Sequence, residues 1–84
     1  MIRAVFPDAT EDGALRIAMC ESTMGQNSNA YAPWNPNKGA YQIAAWAHPE
    51  YDANMLLDDA YNVRAAYEIS QGGTDWSQWQ CRPW

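Results

Sequence analysis

The 84 residues carry ten acidic and five basic side chains, a formal net charge of −5, and 48% of the chain is hydrophobic, with five Trp and five Tyr against one Phe. One globular domain is the limit at this length, disorder is excluded by the aromatic content, and with no Lys/Arg cluster a nucleic-acid partner is not expected. No apolar run approaches the roughly 20 residues of a bilayer span, so no membrane partner is expected either, and the N-terminus lacks the basic flank and long apolar core of a signal peptide.

A first helix is predicted from about Asp8 to Glu21. Asp8 is placed to cap it, Glu11 completes a capping-box pattern, and Leu15, Ala18 and Met19 share one face. From Ser22 to Gly39, glycines, asparagines and prolines break any helix or long strand and leave a loop with at most a small hairpin. Tyr31 and Trp34 within it mark a packed, functional loop with both rings at the rim of a cleft. Ala40 to Trp46 is a short apolar run, strand or helical turns, ended by Pro49. His48, just before that proline, reads as a surface residue.

A third and longest helix is predicted from Asp58 or Asp59 to Ser70, with Ala60, Val63, Ala66 and Tyr67 on one stripe and Gly72-Gly73 as its stop. Thr74 or Asp75 then starts a short terminal helix bearing Trp76 and Trp79, both read as core. The fold class is mainly α, a small helical domain with a long irregular loop after the first helix.

Cys20 and Cys81 form no CxxC and the chain has a single His, so metal-ligand spacing is absent and neither metal nor cofactor is expected. A Cys20–Cys81 disulfide would close a loop of about 62 residues and contribute ~4 kcal/mol in the chain-entropy model. Two unrelated buried thiols are the alternative. The bridge would place the protein in an oxidising compartment.

Glu21 carries the chemistry. It lies where the apolar stretch Ile17-Ala18-Met19-Cys20 meets Ser22 and the polar loop, so its carboxyl would project from the core edge into a cleft. Partly apolar surroundings disfavour the ionised form and keep a carboxyl protonated toward neutrality, as a general acid for glycosidic-bond cleavage requires. A solvated helix-terminal Glu is the bland alternative. Gly39-Ala40-Tyr41-Gln42-Ile43 then offers close backbone approach, an aromatic face and an amide that both donates and accepts. Trp46 and Tyr67 are further rings that could stack on sugars.

Ala18-Met19-Cys20-Glu21-Ser22, Asn27-Ser28-Asn29-Ala30, Gly39-Ala40-Tyr41-Gln42-Ile43, the segment from Asp58 to Tyr67, and Gly72-Gly73 with the segment from Trp76 to Cys81 cover nearly the whole chain. Together they resemble the goose-type lysozyme and soluble lytic transglycosylase superfamily in its compact phage and actinobacterial versions. The resemblance implies a lysozyme-like α fold over residues 1–84, with Glu21 as catalytic acid. It implies Ser22, Gly39, Tyr41, Gln42 and Ile43 beside the sugar, and a peptidoglycan glycan strand as partner, cut between N-acetylmuramic acid and N-acetylglucosamine. Thr23-Met24-Gly25-Gln26 follows Glu-Ser where many members have Gly or a short apolar residue before Asn. An Ala-Tyr-Asn-Ala-Gly segment of larger members is also missing.

With Glu21 as sole carboxylate, the implied route is protonation of the leaving oxygen followed by 1,6-anhydro ring closure. Hydrolysis would need a second carboxylate from Asp52, Asp58 or Asp59. The expected setting is extracellular or wall-facing, secreted or phage-delivered, as a monomer or as a domain of a larger wall-degrading protein or virion. Two other readings compete: a lysozyme-like module that binds glycan or serves structure without cutting, and a helical interaction module with an exposed Trp-rich patch in place of a polar-rimmed groove.

Overall fold

A computed structural model describes residues 1–81. It contains helices α1 (Ile2–Val5), α2 (Asp8–Ser22) and α3 (Asp59–Ile69), with 3₁₀ turns at Ser28–Tyr31 and Met55–Leu57. The described strands are β1 (Asn37–Lys38) and β2 (Ile43–Ala44), antiparallel, with Asn37 opposite Ala44 and Lys38 opposite Ile43. The chain is thus mainly α, and the loop after α2 holds the small hairpin that the sequence allows.

The start of α2 differs from expectation. Pro7, at φ −66° and ψ 157°, is the N-cap, and Asp8 is already helical. Proline is suited to this boundary because its fixed φ leads into a helix and its missing N–H costs nothing there. Asp8 and Glu11 therefore act as first-turn charges on the helix dipole rather than as a capping box. The buried face is Ala14, Ile17, Ala18 and Ser22, while Met19 is exposed and Leu15 shares a shallow surface depression with Ile2 and Met24. With small Ala14, Ala18 and Ser22 making up most of its buried face, α2 has no strong stripe, so the periodicity did not single out the correct face.

At its C-terminus α2 ends in three consecutive left-handed residues, Thr23, Met24 and Gly25. The Thr23 N–H donates to the Met19 carbonyl at 2.9 Å and the Met24 N–H to the Ala18 carbonyl at 3.2 Å, satisfying the last turn. A β-branched residue at φ 53° is strained. Thr23→Gly is expected to relieve that strain, and after the entropy that glycine gains in the unfolded chain it should add ~0.5–1 kcal/mol, a Tm increase of ~2–8 °C in a thermal melt.

At 11 residues α3 is shorter than the 15-residue α2, rather than the longest helix that the sequence predicts; Asp58 is its N-cap and the Asp58 carboxylate accepts from the Tyr61 N–H at 3.0 Å. The helix stops at left-handed Gln71, Gly72 and Gly73, as the glycine pair predicts. Its buried residues are Asn62, Val63, Ala65 and Ala66, so the predicted stripe is rotated: Ala60 is exposed and Tyr67 half-buried.

The predicted terminal helix does not form, and residues 74–81 run as turns. A segment this short has too few hydrogen bonds to repay nucleation, and Asp75 competes by accepting from the Ser77 N–H at 3.0 Å and its hydroxyl at 2.6 Å. Tertiary contacts hold the segment instead. Trp76 stacks on Tyr41 with centroids 5.8 Å apart and meets Trp79 edge-on at 4.9 Å. The Trp76 indole donates to the Gly73 carbonyl and that of Trp79 to the Tyr41 carbonyl. Both tryptophans are core, as expected. Cys20 and Cys81 are bonded, which removes the alternative of two separate buried thiols; Cys20 is in fact exposed.

Candidate active site

Glu21 sits in the last turn of α2 and is half-buried. Its carboxyl faces an open cleft of about 450 Å³, within the ~300–1,000 Å³ usual for small-ligand sites. One wall comes from the hairpin and the turn after it, through Asn37, Ile43, Trp46 and His48; the other comes from Gln78, Trp79 and Gln80 of the C-terminal strap. Burial holds the Glu21 carboxyl above its ordinary value of 4.5, and the Cys81 N–H, 3.4 Å from Oε2, offsets part of that rise.

A raised folded pKa means that the folded chain binds this proton more tightly than the unfolded one. Stability must therefore fall as pH rises from the ordinary carboxyl value through the raised one. Glu21→Gln, which cannot ionise, is expected to melt at or above the wild-type temperature at neutral pH. The advantage should vanish in melts run below about pH 4.5, where both states of the parent are protonated.

The sequence-predicted site residues divide. Glu21, Gln42, Ile43 and Trp46 line the cleft, whereas Ser22, Gly39, Tyr41 and Tyr67 do not. Tyr41 offers no face to a sugar, because its ring is fully buried and its hydroxyl donates to the Ala14 carbonyl at 2.7 Å. Tyr67 packs against Phe6 with ring centroids 5.5 Å apart. Ser22 is a tie: its hydroxyl donates to the Ala40 carbonyl at 2.7 Å and accepts from the Gly25 N–H at 2.8 Å, fastening the residue beside Glu21 to the hairpin.

Gln42 reaches the cleft, but its amide is occupied within the protein. Nε2 donates to the Gly39 carbonyl at 2.9 Å and the Ala30 carbonyl at 3.3 Å, and Oε1 accepts from Asn35 at 3.0 Å. Trp46 is the ring left free, 78% exposed at the cleft. Of the two loop aromatics expected at the rim, Tyr31 donates to Asp59 at 2.6 Å and Trp34 is exposed, and neither lines the cleft.

Asn62 is the residue that makes this geometry possible, and residue type alone did not mark it. Fully buried, it accepts from the Tyr41 N–H at 2.8 Å and donates to the Lys38 carbonyl at 2.8 Å and the Leu56 carbonyl at 2.9 Å. Gly39, at φ 76°, has to be glycine: a Cβ there would collide with the Asn62 amide and the Leu56 carbonyl. One side chain thus ties α3 to the hairpin that walls the cleft.

Asp52, Asp58 and Asp59, the candidates for a second carboxylate, are engaged away from the cleft, on the Asn54 and Met55 amides, the Tyr61 amide and the Tyr31 hydroxyl respectively. Among the described residues lining the cleft, Glu21 is the one carboxylate. His48 is half-buried in the wall rather than out on the surface, with Nδ1 3.5 Å from Glu50. Among the described residues no group of three His, Cys, Asp or Glu side chains gathers as a metal site would.

A family model described as lysozyme-like domain matches residues 7–81, nearly the whole chain and every element that builds the cleft. The chain belongs to the lysozyme-like domain family. Comparison with curated proteins and with solved structures returned no match. Membership gives this lysozyme-like domain a peptidoglycan-related role, facing the cell wall. Among the described residues, no helix is long and apolar enough to cross a membrane.

Proposed function

We propose that residues 1–84 of this lysozyme-like domain act as one catalytic unit. It cleaves the bond between N-acetylmuramic acid and N-acetylglucosamine, with Glu21 as sole acid and base. The observation that carries the reading is a half-buried carboxyl, held above its ordinary value by burial, in a cleft to which the described residues contribute no second carboxylate. Two-carboxylate glycosidases keep their pair ~5–9.5 Å apart, and Asp52, Asp58 and Asp59 are all committed elsewhere.

In the proposed route, protonated Glu21 gives its proton to the glycosidic oxygen as the bond from that oxygen to the muramic C1 breaks. The resulting carboxylate takes the proton of the C6 hydroxyl, O6 bonds to C1, and a 1,6-anhydro end forms with no water consumed. Glu21 finishes protonated and ready for the next cycle. Because the first step needs the protonated acid, the alkaline limb of the rate profile should lie above the ordinary carboxyl value of 4.5. Clearing of purified sacculi, followed by turbidity across pH, tests the reading. No clearing at any pH would leave a module that binds glycan or serves structure without cutting.

Trp46 supplies the stacking face in this reading. Trp46→Ala is expected to weaken glycan binding by about tenfold, on the order of 1.4 kcal/mol. With 78% of the residue exposed, the melting temperature should stay within ~2 °C of the parent. Titration of a soluble N-acetylated oligosaccharide against intrinsic fluorescence, paired with a melt, checks both.

A further inference from the structure

The structure assigns the Cys20–Cys81 disulfide as a latch on the cleft: it fixes the wall beside Glu21, so that cleavage depends on the bridge being oxidised. The functional half of this inference rests on the catalytic reading above; the structural half does not. Cys20 is the residue next to Glu21, and its partner Cys81 presents its own N–H to Glu21 Oε2 at 3.4 Å. Immediately before Cys81 come Gln78, Trp79 and Gln80, which form one cleft wall. The bridge thus joins the helix that carries the acid to the strap that faces it, and the Cys81 amide is a positioning group for the Glu21 carboxyl.

The remainder of the strap has anchors of its own. Trp76 and Trp79 are buried, bonded through their indoles to the Gly73 and Tyr41 carbonyls and packed on one another. Breaking the bridge removes the covalent tie between the strap and α2 while Trp76 and Trp79 stay buried. Cys20 is an exposed residue, and the bridge opens by thiol–disulfide exchange. A reductant thiolate bonds to one sulfur and the protein S–S bond breaks, its electron pair leaving on the other sulfur. A second thiolate then displaces the mixed disulfide. The protein gains two electrons and two protons, and the reductant leaves as a disulfide. In a thiol-rich compartment the domain is accordingly held slack, and it becomes competent on entering an oxidising one.

The test uses the intact chain with and without dithiothreitol, and the Cys20→Ser/Cys81→Ser double variant without it. Amide hydrogen exchange is read by residue, with near-UV circular dichroism and sacculus clearing on the same samples. The latch predicts that the Gln80 and Cys81 amides exchange at least about tenfold faster once the bridge is open, while Asn62 and Val63 remain protected. It predicts that the near-UV signal is kept and that clearing falls about tenfold or more, at constant fold, in both reduced and double-variant protein. Reoxidation should restore the parent alone.

Unchanged exchange at residues 80 and 81 would overturn the latch. So would global loss of protection, which would make the bridge a stability clamp, and so would clearing within about twofold of the oxidised parent in a folded, reduced chain. If the oxidised parent itself clears nothing while exchange responds as stated, the catalytic reading fails and the structural latch stands.

Discussion

Glu21→Gln should reduce sacculus clearing by at least ~10²-fold, the usual contribution of a positioned general acid, and by more if the same group also serves as base. The amide keeps the size and shape of the carboxyl and can still accept from the Cys81 N–H that lies 3.4 Å from Oε2, but it has no proton to give. Because the parent carboxyl is held above its ordinary value by burial, the variant loses no folding energy at neutral pH. Activity and stability should therefore separate: a dead enzyme that melts no lower than the parent. A variant that clears sacculi as fast as the parent would remove Glu21 from the chemistry.

Among the hydrogen-bonding side chains, the largest stability effect is expected at Asn62. Replacement by Ala leaves the Tyr41 N–H and the Lys38 and Leu56 carbonyls without their partner. These are three backbone groups around a fully buried side chain, and unmet polar groups at buried sites cost ~1–3 kcal/mol each. Relaxation and water entry will recover part of that, so a loss of about 3 kcal/mol is expected, or ~12–24 °C in Tm for a domain of this size. Activity should fall as well, because the hairpin that walls the cleft is hung from this side chain. Differential scanning calorimetry of Asn62→Ala measures the first effect. A shift under ~4 °C would show that the hairpin is held by something other than Asn62.

Elements with local punctuation were legible in the sequence. Asp58 and the Gly72-Gly73 pair bound α3 because a cap and a left-handed stop act within a few residues. The position of Glu21 at a helix end beside the core followed from the switch between Cys20 and the polar loop. The site was less legible because most of it lies in irregular backbone, where no period says which way a side chain points. Gly39-Ala40-Tyr41-Gln42-Ile43 has the residue types of a sugar site, yet Tyr41 and most of the Gln42 amide are turned inward to hold the loop.

Gln78 and Gln80 went unnoticed for a related reason: they reach the cleft through long-range ties, the buried Trp76 and Trp79 and the Cys20–Cys81 bond, rather than local structure. The Cys20–Cys81 pairing could have revealed them, since bonding Cys81 to the neighbour of Glu21 brings the preceding residues to its flank. His48 carried no such signal, and the turn that sets it in the wall is defined by hydrogen bonds to the Ala44 and Ala45 carbonyls.

The end groups left on digested peptidoglycan test the single-carboxylate account most directly. Mass spectrometry of fragments released by the oxidised parent should find muramic termini one water lighter than simple hydrolysis products, carrying 1,6-anhydro rings, and none above background with Glu21→Gln. Reducing termini alone would mean that water is the nucleophile and that a second activating group exists, contradicting the account.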